Sequence, residues 1–251
     1  MPRYIIVSFF LIVNILISEE ITGYQLAKMI DDKAQPQSTK SEISMNLINL
    51  KKNREKIKEI ISISKDDGDK MLLFFKKPKR DKGVGFLKIE SGDGDKISLF
   101  IPKLKKIRRI SSSNQSDSFM GSDLSFEDML SRDLDDFSYN LIDSEDDSIY
   151  LLESISKDKD SEYSRHLSWV TKNGLLIIKE YSFDRENQLL KEKIFEHVQI
   201  KDYNLVSKIS VTNIQEEHST ILEINNLEVD SNINDDIFNE LNLKRSEKFL
   251  K

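Results

Sequence analysis

From Ile43 to Val229 the sequence keeps returning to short runs in which β-branched and aromatic residues alternate with polar ones. Ile43, Met45 and Leu47 open the series, and Ile61 and Ile63 follow a polar interruption at Lys51 to Glu55. Then come MLLFFKK, VGFLKI, KISLFIP, FSYNLI, SIYLLESI, HLSWV, LLIIKEYSF, LLKEKIFEHV, NLVSKISVTN and TILEINNLEV. Turn chemistry separates them, at Arg80–Gly83, Ser91–Asp95, Lys172–Gly174 and Asp184–Asn187. A period of two, repeated without intervening helices, predicts about eleven strands in an antiparallel meander. Such a sheet must curve strongly to bury that much apolar surface.

Helical spacing shows in only three places. Ile21 to Asp32 brings Tyr24, Ala27, Met29 and Ile30 together with Thr22 as N-cap. Asp123 to Leu134 carries a Ser125-x-x-Asp128 capping box, and DDIFNELNL near the end begins with Asp235 and Asp236, favourable at a helix start. The fold class predicted is therefore mainly β, with short helices.

The 251 residues are 38% apolar, and no linker rich in Pro, Gly or Ser divides them. One domain over residues 19–251 is expected. Residues 1–18 read as a signal peptide: Arg3 precedes the uncharged run YIIVSFFLIVNILIS, which is short for a spanning helix and ends at Glu19 and Glu20. The alternative is an uncleaved membrane anchor. With no cysteine in the chain, neither a disulfide, a thiol nucleophile nor N-terminal lipidation is available. Cleavage after Ser18 removes only Arg3 and leaves 37 bases against 44 acids. Nucleic-acid binding is not expected at that balance.

Catalytic chemistry is sparse. His166, His197 and His218 fall in no zinc-binding pattern, and neither a Gly-x-Ser-x-Gly elbow nor a phosphate loop occurs. SGDGD offers Asp93 and Asp95 but lacks the remaining ligands of a calcium loop. The carboxylate pairs Asp135–Asp136 and Asp146–Asp147 are adjacent, so on a strand they point to opposite faces. No enzyme, cofactor or metal is predicted. Charge is blocked along the chain: Lys76 to Arg109 holds twelve bases and four acids, whereas Asp123 to Asp158 holds twelve acids and two bases. Attraction between neighbouring strands accounts for such blocks, and a partner-docking patch is the alternative.

Pro78 and Gly83 in FKKPKRDKGVGFLKI, Pro102 in SLFIPKLKKIRRIS, and FMGSDLSFEDM together resemble the LolA-like periplasmic outer-membrane lipoprotein-sorting proteins, the group associated with RND- or MMPL-type exporters. The similarity continues through SWVTKNGLLIIKEYSFD to DDIFNEL. Leu124 stands where the family usually has Phe or Tyr, and Asn187 where it has Gly. The resemblance implies a half-open, LolA/LolB-like β-barrel whose concave side is apolar and covered by helices. It implies a non-enzymatic, monomeric periplasmic carrier that shields acyl chains of lipids or lipoproteins on the way to the outer membrane. Its partners would be an RND/MMPL-type or ABC-type inner-membrane transporter and an outer-membrane acceptor. A secreted protein-binding or surface protein using the curved sheet is the competing reading.

On the carrier reading, Met45, Leu47, Leu73, Phe75, Phe86, Leu99, Ile101, Ile177 and Phe183 are candidate cavity residues, all on strands. Trp169 is either a ligand-stacking residue or an ordinary packed aromatic. The segment Ser116 to Met129 reads as a lid: Phe119, Met120, Leu124, Phe126 and Met129 supply apolar contacts, Gly121 permits a turn, and Ser122, Asp123 and Asp128 cap backbone donors. Met suits such a segment because its thioether repacks around ligands of different shape. Pro78, Gly83 and Pro102 shape the adjoining loops, where Lys77, Lys79, Arg80, Arg108 and Arg109 are candidates for a partner or lipid head groups. Solvated hairpin ends explain the same bases.

Overall fold

The computed structural model describes residues 21–91 and 94–250. The signal-peptide reading of residues 1–18 and the Asp93 side chain lie outside them. Helix α1, Gly23–Asp31, opens the chain; Thr22 caps it and closes a capping box with Gln25. Thirteen strands follow: β1 Ser38–Asn49, β2 Arg54–Lys65, β3 Lys70–Lys77, β4 Gly85–Ile89, β5 Lys96–Ile101, β6 Lys106–Ile110, β7 Phe137–Ile142, β8 Ile149–Ser156, β9 Arg165–Thr171, β10 Ile177–Phe183, β11 Leu189–Ile200, β12 Tyr203–Asn213 and β13 His218–Val229. A short helix α2, Glu240–Leu243, closes the chain between 3-10 turns. The expectation of about eleven strands undercounts: β6 is KIRRI, whose charge hides its period.

All thirteen strands form one curved antiparallel sheet that does not close into a barrel, in the order β6-β5-β4-β3-β2-β1-β13-β12-β11-β10-β9-β8-β7. Two hairpin meanders are thus joined where β1 pairs with β13. One consequence decides the architecture. β6 and β7 are consecutive in sequence yet lie at opposite edges of the sheet, so residues 111–136 must cross from one edge to the other.

Inner-face residues of β1 to β5 (Met45, Leu47, Ile60, Leu73, Phe75, Phe86, Leu99) pack with Val211 and Leu222 from β12 and β13. The outer face of the same strands presents Ile61, Ile63, Leu72, Phe74 and Leu87 to the C-terminal segment, through Phe238, Leu243 and Phe249. Phe249 stacks on Phe74 at 4.8 Å between centroids. The C-terminal helical expectation is met only by a 3-10 turn and one turn of α2. At the other end of the sheet α1 lays Leu26 and Ala27 on Leu152 and Val170.

α1 sits close because its first residue is glycine. A Cβ on Gly23 would stand 2.8 Å from the Tyr139 carbonyl carbon and 2.9 Å from the Asn140 backbone. Backbone cannot rotate away, so Gly23→Ala should lift α1 from β7 and destabilise the fold by about 1–3 kcal/mol, the usual cost of overpacking, despite alanine's better helix propensity. Urea unfolding checks this; an unchanged or raised midpoint would show that α1 is not held against β7.

Candidate functional site

The crossing segment begins as a small hairpin. Ser118 bridges Ser125, the Phe119 amide donates to the Leu124 carbonyl, and Met120 and Gly121 form the turn with φ of 55° and 78°. Two successive positive φ angles suit glycine at the second position, while Met120 adopts its conformation at some cost. Buried Lys58 holds the turn by donating to the Met120 carbonyl at 2.7 Å, and it also pairs with Asp81. Gly121 and Ser122 thus shape this turn: the Ser122 hydroxyl donates to the Phe119 carbonyl.

Phe119, Leu124 and Phe126 enter the inner-face cluster, with Met120 and Met129 partly buried beside them. Phe119 is 1% exposed and meets Phe86 and Phe126 edge-on, at 5.1 and 5.7 Å. Sequence reasoning expected an open apolar hollow under a lid. Instead Met45, Leu47, Leu73, Phe75, Phe86 and Leu99, with Ile101 at the margin, are filled in by the lid's own phenyl rings. The helix expected over Asp123–Leu134 is also absent; single 3-10 turns stand at Glu127–Met129 and Leu134–Asp136. The Ser125–Asp128 capping bonds do form. A helix rises only about 1.5 Å per residue, and the segment must still reach β7.

Beyond the hairpin the inner face changes character. Asp128, whose side chain is buried, accepts from Lys193 at 2.6 Å, Lys191 at 3.2 Å and the Tyr163 hydroxyl at 2.8 Å. Arg132 donates both terminal nitrogens to Glu180, at 2.7 and 2.8 Å, and Lys193 reaches Glu180 at 3.3 Å. Asp123 accepts from Thr220 at 2.6 Å and lies 2.7 Å from His218 Nδ1. Glu127 accepts from Ser161 and the Glu162 amide, and the Ser131 amide donates to Glu90. Burial alone would raise the carboxyls of Asp128 and Glu180, but the lysines around Asp128 and the Arg132 and Lys193 charges beside Glu180 hold both well below the carboxylate range. Burial pushes the Tyr163 hydroxyl up and the His166 imidazole well down, leaving His166 neutral.

A cavity of about 420 Å³ lies between residues 115–136 and the inner face of the β7–β12 half. Leu124, Leu130, Phe137, Ile177, Phe195 and Ile209 give its apolar walls, and the ionic cluster gives the rest. Of the candidate site residues, Leu124, Asp128 and Ile177 line it. Trp169 and Phe183 do not belong to the inner face. His166, Ser168 and Val170 occupy that side of β9, which turns Trp169 outward against Tyr181 and Lys179, and places Phe183 under Arg165. Sequence reasoning missed Lys191, Lys193, Glu180, Arg132, Tyr163 and His166. The one signal was Lys-x-Lys at Lys191 and Lys193 in a strand otherwise rich in apolar residues.

Of the basic candidates, Lys77 ends β3, Lys79 and Arg80 sit in the β3–β4 loop, and Arg108 and Arg109 lie on β6; the β3–β4 and β5–β6 loops approach each other where Gly83 faces Pro102. Pro78 follows Lys77 through a cis peptide bond. Lys77 pairs with Glu59 at 2.7 Å, Arg108 with Asp117 at 3.2 Å and Arg109 with Glu240 at 2.9 Å; Lys79 and Arg80 are exposed. Among the described residues no cluster of His, Asp or Glu is placed to hold a metal ion, and no helix is long and apolar enough to cross a membrane.

A family model described as "-like: Uncharacterized protein" matches residues 67–245. A domain named for outer membrane lipoprotein sorting, from Vibrio parahaemolyticus, superposes with a TM-score of 0.82 at 29% identity, over 89% of this chain and 98% of that one. A DUF1329 family protein from Desulfovibrio piger gives 0.81 at 28%, over 88% and 97%. A LolA superfamily protein from Nitrosomonas europaea gives 0.72 at 18%, over 89% and 100%, which establishes likeness of fold. Among curated proteins there is no match.

The buried charges set a pH dependence. His166 is held neutral in the folded chain and takes a proton near its ordinary value of about 6.5 when unfolded, so acid favours the unfolded state. Stability should fall below pH 6.5, His166 contributing a slope approaching about 1.4 kcal/mol per unit and the less buried His197 adding to it, so His166→Gln should remove the larger part of the slope and leave that of His197. The contribution of Asp128 and Glu180, whose carboxyls lie lower in the folded state than in the unfolded, is present above about pH 4 and is lost only further into acid. Urea midpoints between pH 4.5 and 8 for both proteins measure this, and identical profiles would contradict it.

Proposed function

The chain belongs to the family of uncharacterized proteins whose model spans residues 67–245, built on the LolA-like lipoprotein-sorting fold, and we propose that it is a periplasmic carrier of acyl chains. The observation that supports this reading is the cavity under residues 115–136, bounded on one side by an apolar cluster that the crossing segment itself completes. Lipid or lipoprotein acyl chains enter beside Leu124 and Ile209 and extend by displacing Phe119 and Phe126 from the inner face. Each methylene moved out of water contributes about 0.8 kcal/mol, and each displaced Phe or Leu gives up about 1.5–3 kcal/mol. One long acyl chain therefore offsets the loss of several side chains from the crossing segment. A shorter chain does not.

Entry to the periplasm would follow from the signal peptide, and cargo would pass from an RND/MMPL-type or ABC-type transporter to an outer-membrane acceptor. The exposed loop carrying Lys79 and Arg80 is the contact we assign to the transporter or to lipid head groups. The reading has a direct test. Folded protein purified from its native compartment, extracted with organic solvent, should yield acyl lipid or lipopeptide by mass spectrometry. Phe195→Asp, which sets a charge on the cavity wall, should reduce the recovered lipid about tenfold or more with secondary structure retained. Protein that is lipid-free and also fails to take up a fluorescent acyl probe would overturn it.

A further inference from the structure

The sheet has two free edges. No backbone hydrogen bond among the described residues reaches β6 except from β5, or β7 except from β8. Each edge therefore presents a row of unpaired amides and carbonyls, a template on which a further strand can add. Every neighbouring pair in the sheet is antiparallel, and twelve such pairings separate β6 from β7, so the two edge strands run in the same direction.

The charge blocks of the sequence fall on these edges. Strands β4 to β6 belong to the basic block and β7 with β8 to the acidic one, and they stand at opposite ends of the sheet, where they cannot attract each other as neighbours within one copy. Each edge strand is entered through a 3-10 turn, Pro102–Leu104 before β6 and Leu134–Asp136 before β7. Lys103, Lys105 and Lys106 stand exposed at the first entrance, and Asp133, Asp135 and Asp136 at the second. Arg108 and Arg109 are paired with Asp117 and Glu240, but none of those six residues is in an ion pair among the described residues. Charge on an edge strand opposes pairing between like edges: β6 against β6 sets Arg108 and Arg109 on cations, and β7 against β7 brings its flanking acids together. The unlike pairing is the one left open.

We propose that the partner of each edge is a second copy of this chain, β6 of one copy pairing in parallel with β7 of the next, head to tail, with Lys103, Lys105 and Lys106 beside Asp133, Asp135 and Asp136. The parallel sense follows from the common direction of the two strands. It continues the sheet with both inner faces on the same side, whereas antiparallel addition would turn the second copy's inner face outward, against the curvature. Parallel pairing also sets the two entrances side by side, which brings the three lysines to the three aspartates. The contact is heterologous, so each copy keeps one edge of each kind to offer and association runs on to a ring or a filament. This departs from the monomer that the family resemblance implies, and it stands apart from the carrier reading.

Sedimentation velocity on protein purified from its native compartment tests the contact. Association should rise with protein concentration and weaken about tenfold or more between about 20 mM and about 500 mM salt, because the pairs at the entrances are exposed. Two variants change only exposed positions, where folding is not at risk: Lys103→Gln with Lys105→Gln and Lys106→Gln, and Asp133→Asn with Asp135→Asn and Asp136→Asn. Each alone should weaken self-association about tenfold, the combined worth of three exposed ion pairs. Mixed, they leave one intact β6 entrance facing one intact β7 entrance, and should form a one-to-one pair at wild-type affinity that grows no further. Carbodiimide should join the three lysines to Asp133, Asp135 or Asp136 of another copy. Crosslinks to Asp143, Glu145 or Asp146 in their place would overturn the parallel register. A wild type that stays monomeric up to about 100 μM in low salt, or variants that associate as the wild type does, would overturn the proposal.

Discussion

An open antiparallel sheet has two faces to cover and cannot cover either with its own strands. Here that requirement meets a topological one. Two meanders join through β1 and β13, which sends β6 and β7 to opposite edges, and the chain between them has no route except across a face. Residues 111–136 are therefore a structural necessity before they are a lid. The outer face of β2 to β5 is covered by a different device, the C-terminal segment with Phe238, Leu243 and Phe249.

What fixes the crossing segment changes along its length. Its first part is held by aromatic packing, Phe119 and Phe126 against Phe86, which is non-directional. Its second part is held by charges: Asp128 between two lysines and Arg132 on Glu180. Buried ion pairs contribute little net stability because desolvation offsets their attraction, but losing one partner costs roughly 3–5 kcal/mol by stranding the other. They penalise misplacement. A segment that slipped by one residue would bring Asp128 or Arg132 against uncompensated charge, so the ion pairs set register while the phenyl groups supply most of the adhesion.

This division also explains which parts of the structure were legible from the sequence. The strands β3, β4, β5 and β7 to β13 stand close to the runs that alternation marked, because a period of two survives whichever side is buried. Thr22 as the cap of α1 was legible for an equally local reason. The direction each strand faces was not. In β9 alternation favours Leu167 and Trp169 as the buried side, yet the inner side is His166, Ser168 and Val170, and in β11 Lys191 and Lys193 are buried while Ile194 and Val198 further along are exposed. Hydropathy assigns faces correctly only where the covered face is apolar, as in β3 and β4. Partners for buried lysines lie up to 65 residues away in sequence, at Asp128, and no local pattern encodes them.

The two halves of the inner face also respond differently when the crossing segment lifts. Paired charges that become wet exchange one set of polar partners for water, and exposed pairs are worth only about 0–1 kcal/mol, so opening that half becomes nearly balanced once water has entered. The aromatic half has no such substitute. Leu73, Phe75 and Phe86 regain contact only from another apolar body, and in the closed structure that body is Phe119 with Phe126. The segment thus occupies, on the carrier reading, the place its cargo would take, and the resting protein is filled by its own side chains instead of by water. On that reading, departure of the segment and arrival of an acyl chain become one exchange, settled by whichever occupant buries more apolar surface against Leu73, Phe75 and Phe86.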